Sequence, residues 1–238
     1  MLSKSKKFIF IHAGKDGGTS IKKAMMSSNN PHGMKYVVGP HDSIQDYKIT
    51  RYNLDKYFKF CFIRNPWDRL HSMYKWNIFS WNNTRNTWKK PGGRKYCLEQ
   101  FKRFISQGSL DLTVLEKICD SDGVIQMDFI GRYCELQSDF NEVCSRMNVG
   151  PWNLPREKDL TSPDSETAKL LFQDREIVSD FREAYTLSHD RNSYDYDLIE
   201  CVRKKYAREI EIFQWKFSDT ETFKKCEPRR FNFKGVKV

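Results

Sequence analysis

Long apolar runs are missing from the sequence. No stretch approaches the ~18 consecutive apolar residues that a membrane-spanning helix requires. Residues 1–7 precede a strand-like run and do not have the pattern of a secretory leader. We therefore expect a cytoplasmic protein without a membrane span.

Paired cysteines and blocks of like charge are also missing. The seven cysteines are odd in number and form no CxxC pair, which predicts reduced thiols and neither a disulfide framework nor a zinc site. Lysine and arginine number 41 against 31 for aspartate and glutamate, and this excess favours an anionic ligand. Because no run of five like charges occurs, the excess is equally typical of a solvated basic surface.

The sequence does contain the periodicity of an α/β protein. Hydrophobic residues make up 39% and charged residues 30% of the 238 residues, which is typical of a globular chain. Apolar runs predict buried strands at residues 6–12, 34–39 and 57–66. Helical periods occur at residues 19–26, 41–49, 66–79, 98–106, 137–148, 165–186 and 197–213. This alternation predicts a central parallel sheet covered by helices on both faces.

A glycine-rich turn lies between the first predicted strand and the first predicted helix, in "FIFIHAGKDGGTSIKK" at residues 8–23. Glycines can adopt positive φ and turn consecutive amides toward one centre, and the helix that follows adds free N–H groups. The residues that could hold an anion here are Lys15, Gly17, Gly18, Thr19 and Ser20. The pattern suits a phosphate or sulfate group, although an ordinary tight turn can have the same glycine spacing.

A second candidate for anion binding is "FCFIRNPWDRLHSMY", residues 60–74. Arg64 ends a predicted strand, which is where open α/β sheets bind their ligands. Pro66 suits the first turn of the next helix, and Ser72 lies on that helix. A guanidinium group matches phosphate geometry. An isolated arginine at a strand end, however, is more often a surface or ion-pair residue.

Together the two stretches resemble the sulfotransferases that use 3′-phosphoadenosine 5′-phosphosulfate (PAPS). "HAGKDGGTSI" is similar to their 5′-phosphosulfate loop, and "FIRNPWDRLHSMY" is similar to their 3′-phosphate motif. The match is closest to the carbohydrate-type branch, the family-2 sulfotransferase domain, which "VIQMDFIGRYCELQSDFNEVC" (124–144) and "YAREIEIF" also resemble. The resemblance covers most of residues 8–213 and implies a sulfotransferase fold similar to that of P-loop NTPases.

The resemblance also implies roles for particular residues. Lys15 would reach the oxygen that bridges phosphorus and sulfur, where negative charge grows as the bond breaks. Arg64 and Ser72 would hold the 3′-phosphate, and the loop from Asp16 onward would hold the 5′ end. PAPS would be the sulfuryl donor and 3′,5′-bisphosphoadenosine (PAP) the product. No metal would be required, because Lys15, the amides and Arg64 can balance the charge.

Asp16 departs from the family pattern, which usually has threonine or serine at this position. A carboxylate in an anion-binding loop is unfavourable unless it points away, caps the helix or pairs with a cation. The departure puts the hydroxyl contact at position 16 in doubt, but not the contacts of the backbone amides.

In-line sulfuryl transfer to a hydroxyl needs a base within hydrogen-bond reach of the acceptor. His41 is the first candidate, because its segment resembles the family's His-x-(Thr/Ser)-Ala-type segment before the second motif. His12, at the end of the first predicted strand, is the second candidate. A lone histidine is as often a packed or capping residue, and an aspartate or glutamate could serve instead.

Aromatic and basic residues after the second motif suggest an acceptor groove. Residues 79–97 are rich in Trp, Asn, Lys and Gly and predict a long irregular loop. The candidate acceptor residues are Trp76, Trp81, Arg85 and Trp88. Rings can stack on sugars and basic groups favour an acidic acceptor, but a flexible basic loop with two buried rings fits the same pattern. We expect a glycan or small-molecule natural product as acceptor.

The sequence predicts one domain over residues 1–238, because it contains no repeat and no linker. Its expected parts are a cofactor-binding core over about residues 6–145, a helical part over about 150–215 and a basic tail at 216–238. Two other functions stay open: a P-loop kinase, which the absent GxxxxGK(S/T) order disfavours, and a non-catalytic basic protein that binds nucleotides or nucleic acid. No recognised nucleic-acid motif supports the latter, and we expect no nucleic-acid partner.

Overall fold

The structure is a computed structural model that describes residues 1–26, 34–35, 39, 41–48, 52–85, 98–107, 113–155, 193–218 and 233–238. The chain divides into two compact units. The first comprises Met1–Asn65, Asp111–Pro155 and Arg208–Val238, and the second comprises Pro66–Leu110 and Arg156–Ala207. The single domain expected from the sequence stays a prediction.

The first unit contains a five-stranded sheet in the order β3-β1-β2-β4-β5. The strands are β1 (Leu2–Ser3), β2 (Phe8–Ile11), β3 (Met34–Lys35), β4 (Phe58–Ile63) and β5 (Phe129–Arg132). β2, β4 and β5 are parallel, whereas β1 is antiparallel to both β2 and β3. The prediction of a parallel sheet is therefore confirmed for the pairs β2–β4 and β4–β5 and wrong for the two pairs that β1 forms, since β1 alone of the five strands runs in the opposite direction. Only residues 4–7 separate β1 from β2, which is too short for a parallel crossover.

The helices are α1 (Gly18–Met25), α2 (Ile44–Lys48), α3 (Pro66–Arg85), α4 (Leu98–Gln107), α5 (Val114–Ile118), α6 (Leu136–Met147), α7 (Tyr196–Lys205) and α8 (Ala207–Phe213). The period predicted over 197–213 is thus divided into two helices at Tyr206. Ser43 caps α2, because its hydroxyl oxygen accepts a hydrogen bond from the Asp46 N–H at 3.2 Å. The helix predicted at 165–186 lies outside the described residues.

The core of the first unit lies between the sheet and two helices. Phe10 on β2 stacks on Phe60 of β4 with ring centroids 5.0 Å apart. α1 adds Ile21 to this core, and α6 adds Phe140. All four residues of β2 are buried, as expected for a central parallel strand. This packing holds the β2–α1 connection in place.

The second unit is helical in the described residues. α3 begins at Pro66 as predicted and continues to Arg85, so the prediction of an irregular loop is wrong for residues 79–85. Residues 86–97 lie outside the description. Phe101 on α4 is fully buried and packs edge-on against His71 of α3 and Tyr194. These aromatic contacts connect α4 to α3.

Two further observations bear on the sequence predictions. None of the helices in the described part of the chain combines the length and the apolar character that a membrane span requires. The end of the expected basic tail pairs with residues 123–125 of the same unit, since the Val238 N–H donates to the Gly123 carbonyl at 2.8 Å and the Ile125 N–H donates to the Val236 carbonyl at 2.9 Å. Residues 219–232 are not described.

Candidate active site

The turn after β2 has the backbone geometry of an anion-binding loop. Lys15 has φ +67° and Gly17 has φ +89°, so the backbone enters the left-handed region at two separate positions before α1 begins at Gly18. The Gly17 carbonyl accepts a hydrogen bond from the Ile21 N–H at 3.2 Å. Residues in the left-handed region can turn successive N–H groups toward one side, and the first amides of α1 extend that set. The local backbone therefore suits a phosphate or sulfate group.

The two glycines that precede and start α1 are both required by contacts. A Cβ atom on Gly18 would lie 1.9 Å from Cδ2 of His12, and one on Gly17 would lie 2.7 Å from Cδ2 of Leu136. A carbon atom cannot occupy either position without displacing its neighbour. The glycine pair thus allows the loop to lie directly against the His12 ring and α6.

The donors around this turn fit an anion. The first turn of α1 contains no acidic residue, and the positive end of a helix dipole attracts anions. Ser20 is buried and Thr19 is half-buried beside it. Lys15 adds a formal positive charge. Backbone N–H groups, two hydroxyls and an ammonium group are donors that could bind a phosphate or sulfate group.

Arg64 lies directly beside this loop. It follows β4, which runs parallel to β2 and therefore ends at the same edge of the sheet. Arg64 Nη1 donates to the Lys15 carbonyl oxygen at 3.1 Å. The guanidinium carbon lies 4.2 Å from the centre of the Tyr133 ring, a distance typical of a cation–π contact. The structure therefore brings Lys15 and Arg64 together.

Asp16 is turned away from solvent. Its side chain is only 1% exposed, and Oδ1 lies 4.0 Å from Nε2 of His12. The carboxylate also contributes to the raised pKa of the Cys61 thiol, whose main cause is complete burial. Asp16 thus pairs with His12, a residue that can carry positive charge. Pairing with a cation is one of the arrangements in which a carboxylate is acceptable in an anion-binding loop.

His41 lies next to His12. The two ring centroids are 4.6 Å apart, and Nδ1 of His41 lies 3.2 Å from the His12 carbonyl oxygen. A carbonyl oxygen can only accept, so this contact requires the hydrogen of neutral His41 to be on Nδ1. Nε2 of the exposed His41 ring then keeps its lone pair and could accept a proton from an acceptor hydroxyl. Both candidate bases therefore lie beside the anion-binding loop.

The remaining predicted site residues belong to the second unit or lie outside the description. Ser72 and Trp76 are both half-buried on α3, and residues four apart share one face of a helix. Trp81 and Arg85 are within the backbone range of α3, but their side chains are not described. Trp88 lies outside the described residues.

Sequence reasoning missed two side chains near the site, Tyr133 and Lys117. Tyr133 directly follows β5, a four-residue strand that was not predicted. Lys117 lies on α5, and its Nζ donates to the His41 carbonyl oxygen at 3.0 Å. The pattern Thr113-x-x-Glu116 is a capping-box signature that could have revealed α5, and the structure contains both of its hydrogen bonds.

The comparison with protein-family models matches most of the chain. A family model described as "Sulfotransferase family" matches residues 1–216, which include the loop, Arg64 and both candidate bases. The comparison with curated proteins found no match, and neither did the comparison with solved structures.

Proposed function

Since the chain belongs to the sulfotransferase family, we propose that it transfers the sulfuryl group of PAPS to an acceptor hydroxyl by in-line displacement. The observation that carries this proposal is the hydrogen bond from Arg64 to the Lys15 carbonyl at the edge of the sheet. It supports a site in which two separate sequence motifs act on one anionic nucleotide.

Different residues would bind different parts of the nucleotide. Backbone amides from Gly17 onward, with the hydroxyls of Thr19 and Ser20, would hold the 5′-phosphosulfate. Arg64 would hold the 3′-phosphate together with Ser72. PAPS, when bound, supplies the sulfuryl group. Asp16 would contribute its backbone N–H, because its carboxylate lies inward against His12.

The charge and the proton would be handled by different groups. The Lys15 ammonium would stabilise the negative charge that develops on the leaving group. Nε2 of His41 would take the acceptor proton, since Nδ1 already carries a hydrogen toward the His12 carbonyl. We propose no metal for this chemistry, because the loop and Arg64 supply the positive charge.

The acceptor would be a glycan or a small-molecule natural product. Trp76 shares a face of α3 with Ser72, and its stacking role toward the acceptor stays a prediction. Trp81, Arg85 and Trp88 stay predictions as acceptor contacts. The cytoplasmic location also stays a prediction.

A binding experiment tests the nucleotide assignment. We expect calorimetry to detect binding of PAP but not of ATP, and we expect Arg64→Ala to weaken PAP binding about 10- to 100-fold, because hydrogen bonds to charged groups contribute about 1.5–3 kcal/mol. The matched control is Arg146→Ala, which removes an exposed arginine that pairs with Glu142 on α6. ATP binding of equal strength would contradict the proposal and favour a kinase.

Turnover is tested with an acceptor screen that uses labelled PAPS. Transfer of label to a hydroxyl compound supports the proposal, and the acceptor class is identified at the same time. Tight PAP binding without transfer to any glycan, alcohol or amine would instead indicate a non-catalytic nucleotide-binding protein.

A further inference from the structure

The segment that carries His41 is attached to α5 and the residues after it. Three polar contacts connect the two segments: Lys117 Nζ to the His41 carbonyl oxygen at 3.0 Å, Gln45 Nε2 to the Cys119 carbonyl oxygen at 3.4 Å, and Lys48 Nζ to Asp120 Oδ2 at 3.5 Å. Of these three contacts, only the one from Lys117 reaches the histidine itself.

Lys117 is an unusual residue for this position. It is only 9% exposed, although burying an ammonium group is costly unless it is well hydrogen-bonded. Its helix is anchored on both sides of it, because Thr113 and Glu116 form a capping box and Ile118 is fully buried. The ammonium group is therefore presented to the His41 carbonyl from a firmly held helix.

The ring of His41 contacts the ring of His12, with centroids 4.6 Å apart. The side chain of His41 is exposed, so its ring orientation depends on this contact, on polar contacts and on the position of its backbone. Nδ1 donates to the His12 carbonyl at 3.2 Å, and this contact can persist only if the His41 backbone stays in place. Lys117 holds the His41 backbone while His12 holds the ring.

We propose that Lys117 is a positioning residue that holds His41 in the orientation and tautomer needed by a general base. This inference rests on the proposed sulfuryl transfer and on His41 as its base. Lys117 acts through the His41 backbone and takes no part in the chemistry.

A double-mutant cycle in the full chain tests this proposal. Lys117→Met keeps an apolar stem and removes the ammonium group, and we expect kcat to fall about 10- to 100-fold, because small displacements of a reacting group are costly. In a His41→Ala background, the same substitution is expected to change kcat by less than about twofold, because the two residues act as one unit. PAP affinity is expected to stay unchanged in both backgrounds.

Lys48→Met is the matched control. It removes the partly exposed ion pair with Asp120 from the same attachment, and we expect kcat to stay within about twofold of the unmodified chain, since exposed ion pairs contribute little. If Lys117→Met does not fold, kcat is measured instead for Lys117→Gln in the unmodified and His41→Ala backgrounds.

Nitrogen NMR of the imidazoles provides a readout that is independent of turnover. We expect His41 to show the Nδ1–H tautomer in the unmodified protein and a mixture of tautomers in Lys117→Met. Unchanged kcat in Lys117→Met, or equal losses in both backgrounds, would overturn the inference. If the unmodified chain transfers no sulfuryl group to any acceptor, the proposed function fails, whereas an unchanged His41 tautomer would refute the role of Lys117 separately.

Discussion

Two turns follow parallel strands at the same edge of the sheet, and they are built in different ways. The turn after β2 consists largely of backbone features: positive φ at Lys15 and Gly17, and no space for a side chain on Gly18. In the turn after β4, the contacts are made by side chains. Arg64 bonds to the first turn, and Asn65 Nδ2 donates to the Lys216 carbonyl at 2.9 Å.

The difference indicates how each turn could recognise its ligand. Amides that are fixed by backbone conformation suit a group with oxygens in several directions, such as phosphosulfate. A guanidinium group on a side chain suits a single phosphate and can distinguish nucleotides that have it from those that lack it. Substitutions in the first turn should therefore affect chemistry most, and substitutions after β4 should affect nucleotide choice.

The largest effect is expected from Lys15→Ala. We expect kcat to fall about 10²- to 10³-fold, as for the removal of other groups that stabilise developing charge. Steady-state kinetics with saturating PAPS measures this effect, and Lys23→Ala, at an exposed position in the last turn of α1, is the control. A loss no larger than that of the control would mean that the first turn binds the nucleotide without assisting transfer.

An intermediate effect is expected from Gly18→Ala. The new methyl group would meet Cδ2 of His12 at 1.9 Å, so the loop or the ring must move at a cost of about 1–3 kcal/mol. We expect a lower melting temperature and about tenfold weaker PAP binding. In a His12→Ala background the overlap is absent, so Gly18→Ala is expected to cost less there than in the unmodified chain, and an equal or larger cost would contradict this explanation.

The smallest effect is expected from Ser72→Ala, which removes one hydroxyl from the second motif. We expect PAP binding to weaken about 2- to 10-fold, because a neutral hydrogen bond contributes about 0.5–1.5 kcal/mol. Binding of adenosine 5′-phosphosulfate, which lacks the 3′-phosphate, should not change. Ser106→Ala on α4, whose hydroxyl bonds within its own helix, is the control, and equal weakening for both nucleotides would argue against a 3′-phosphate contact.

The sequence was most informative where a residue type has a backbone preference of its own. Gly17 and Gly18 indicated the β2–α1 turn because glycine readily adopts positive φ, and Pro66 indicated the start of α3 because proline fixes its own φ. The same reasoning failed for β1 and β5, which are two and four residues long. Such short strands exist because neighbouring strands pair with them, and periodicity does not detect this. It also failed for residues 79–85, where α3 continues through poor helix formers.

The side-chain contacts of the site needed the folded chain. The sequence identified Asp16 as a departure but not its position against His12. It identified His41 as a candidate base but not the support from Lys117, which is 76 residues further along the chain. Contacts between distant residues depend on how helices pack on the sheet, and no local pattern encodes that packing.

The sequence by itself determined the chemical groups and their local backbone: a glycine-rich turn with a lysine before a helix, and an arginine at a strand end. These follow from single-residue conformational limits and from spacing. Only the tertiary structure decided that Arg64 reaches the Lys15 carbonyl, that Asp16 faces His12 and that Lys117 holds His41. The physical reason is that parallel pairing of β2 and β4 brings two distant turns to one edge, where side chains find partners that chain neighbours do not provide.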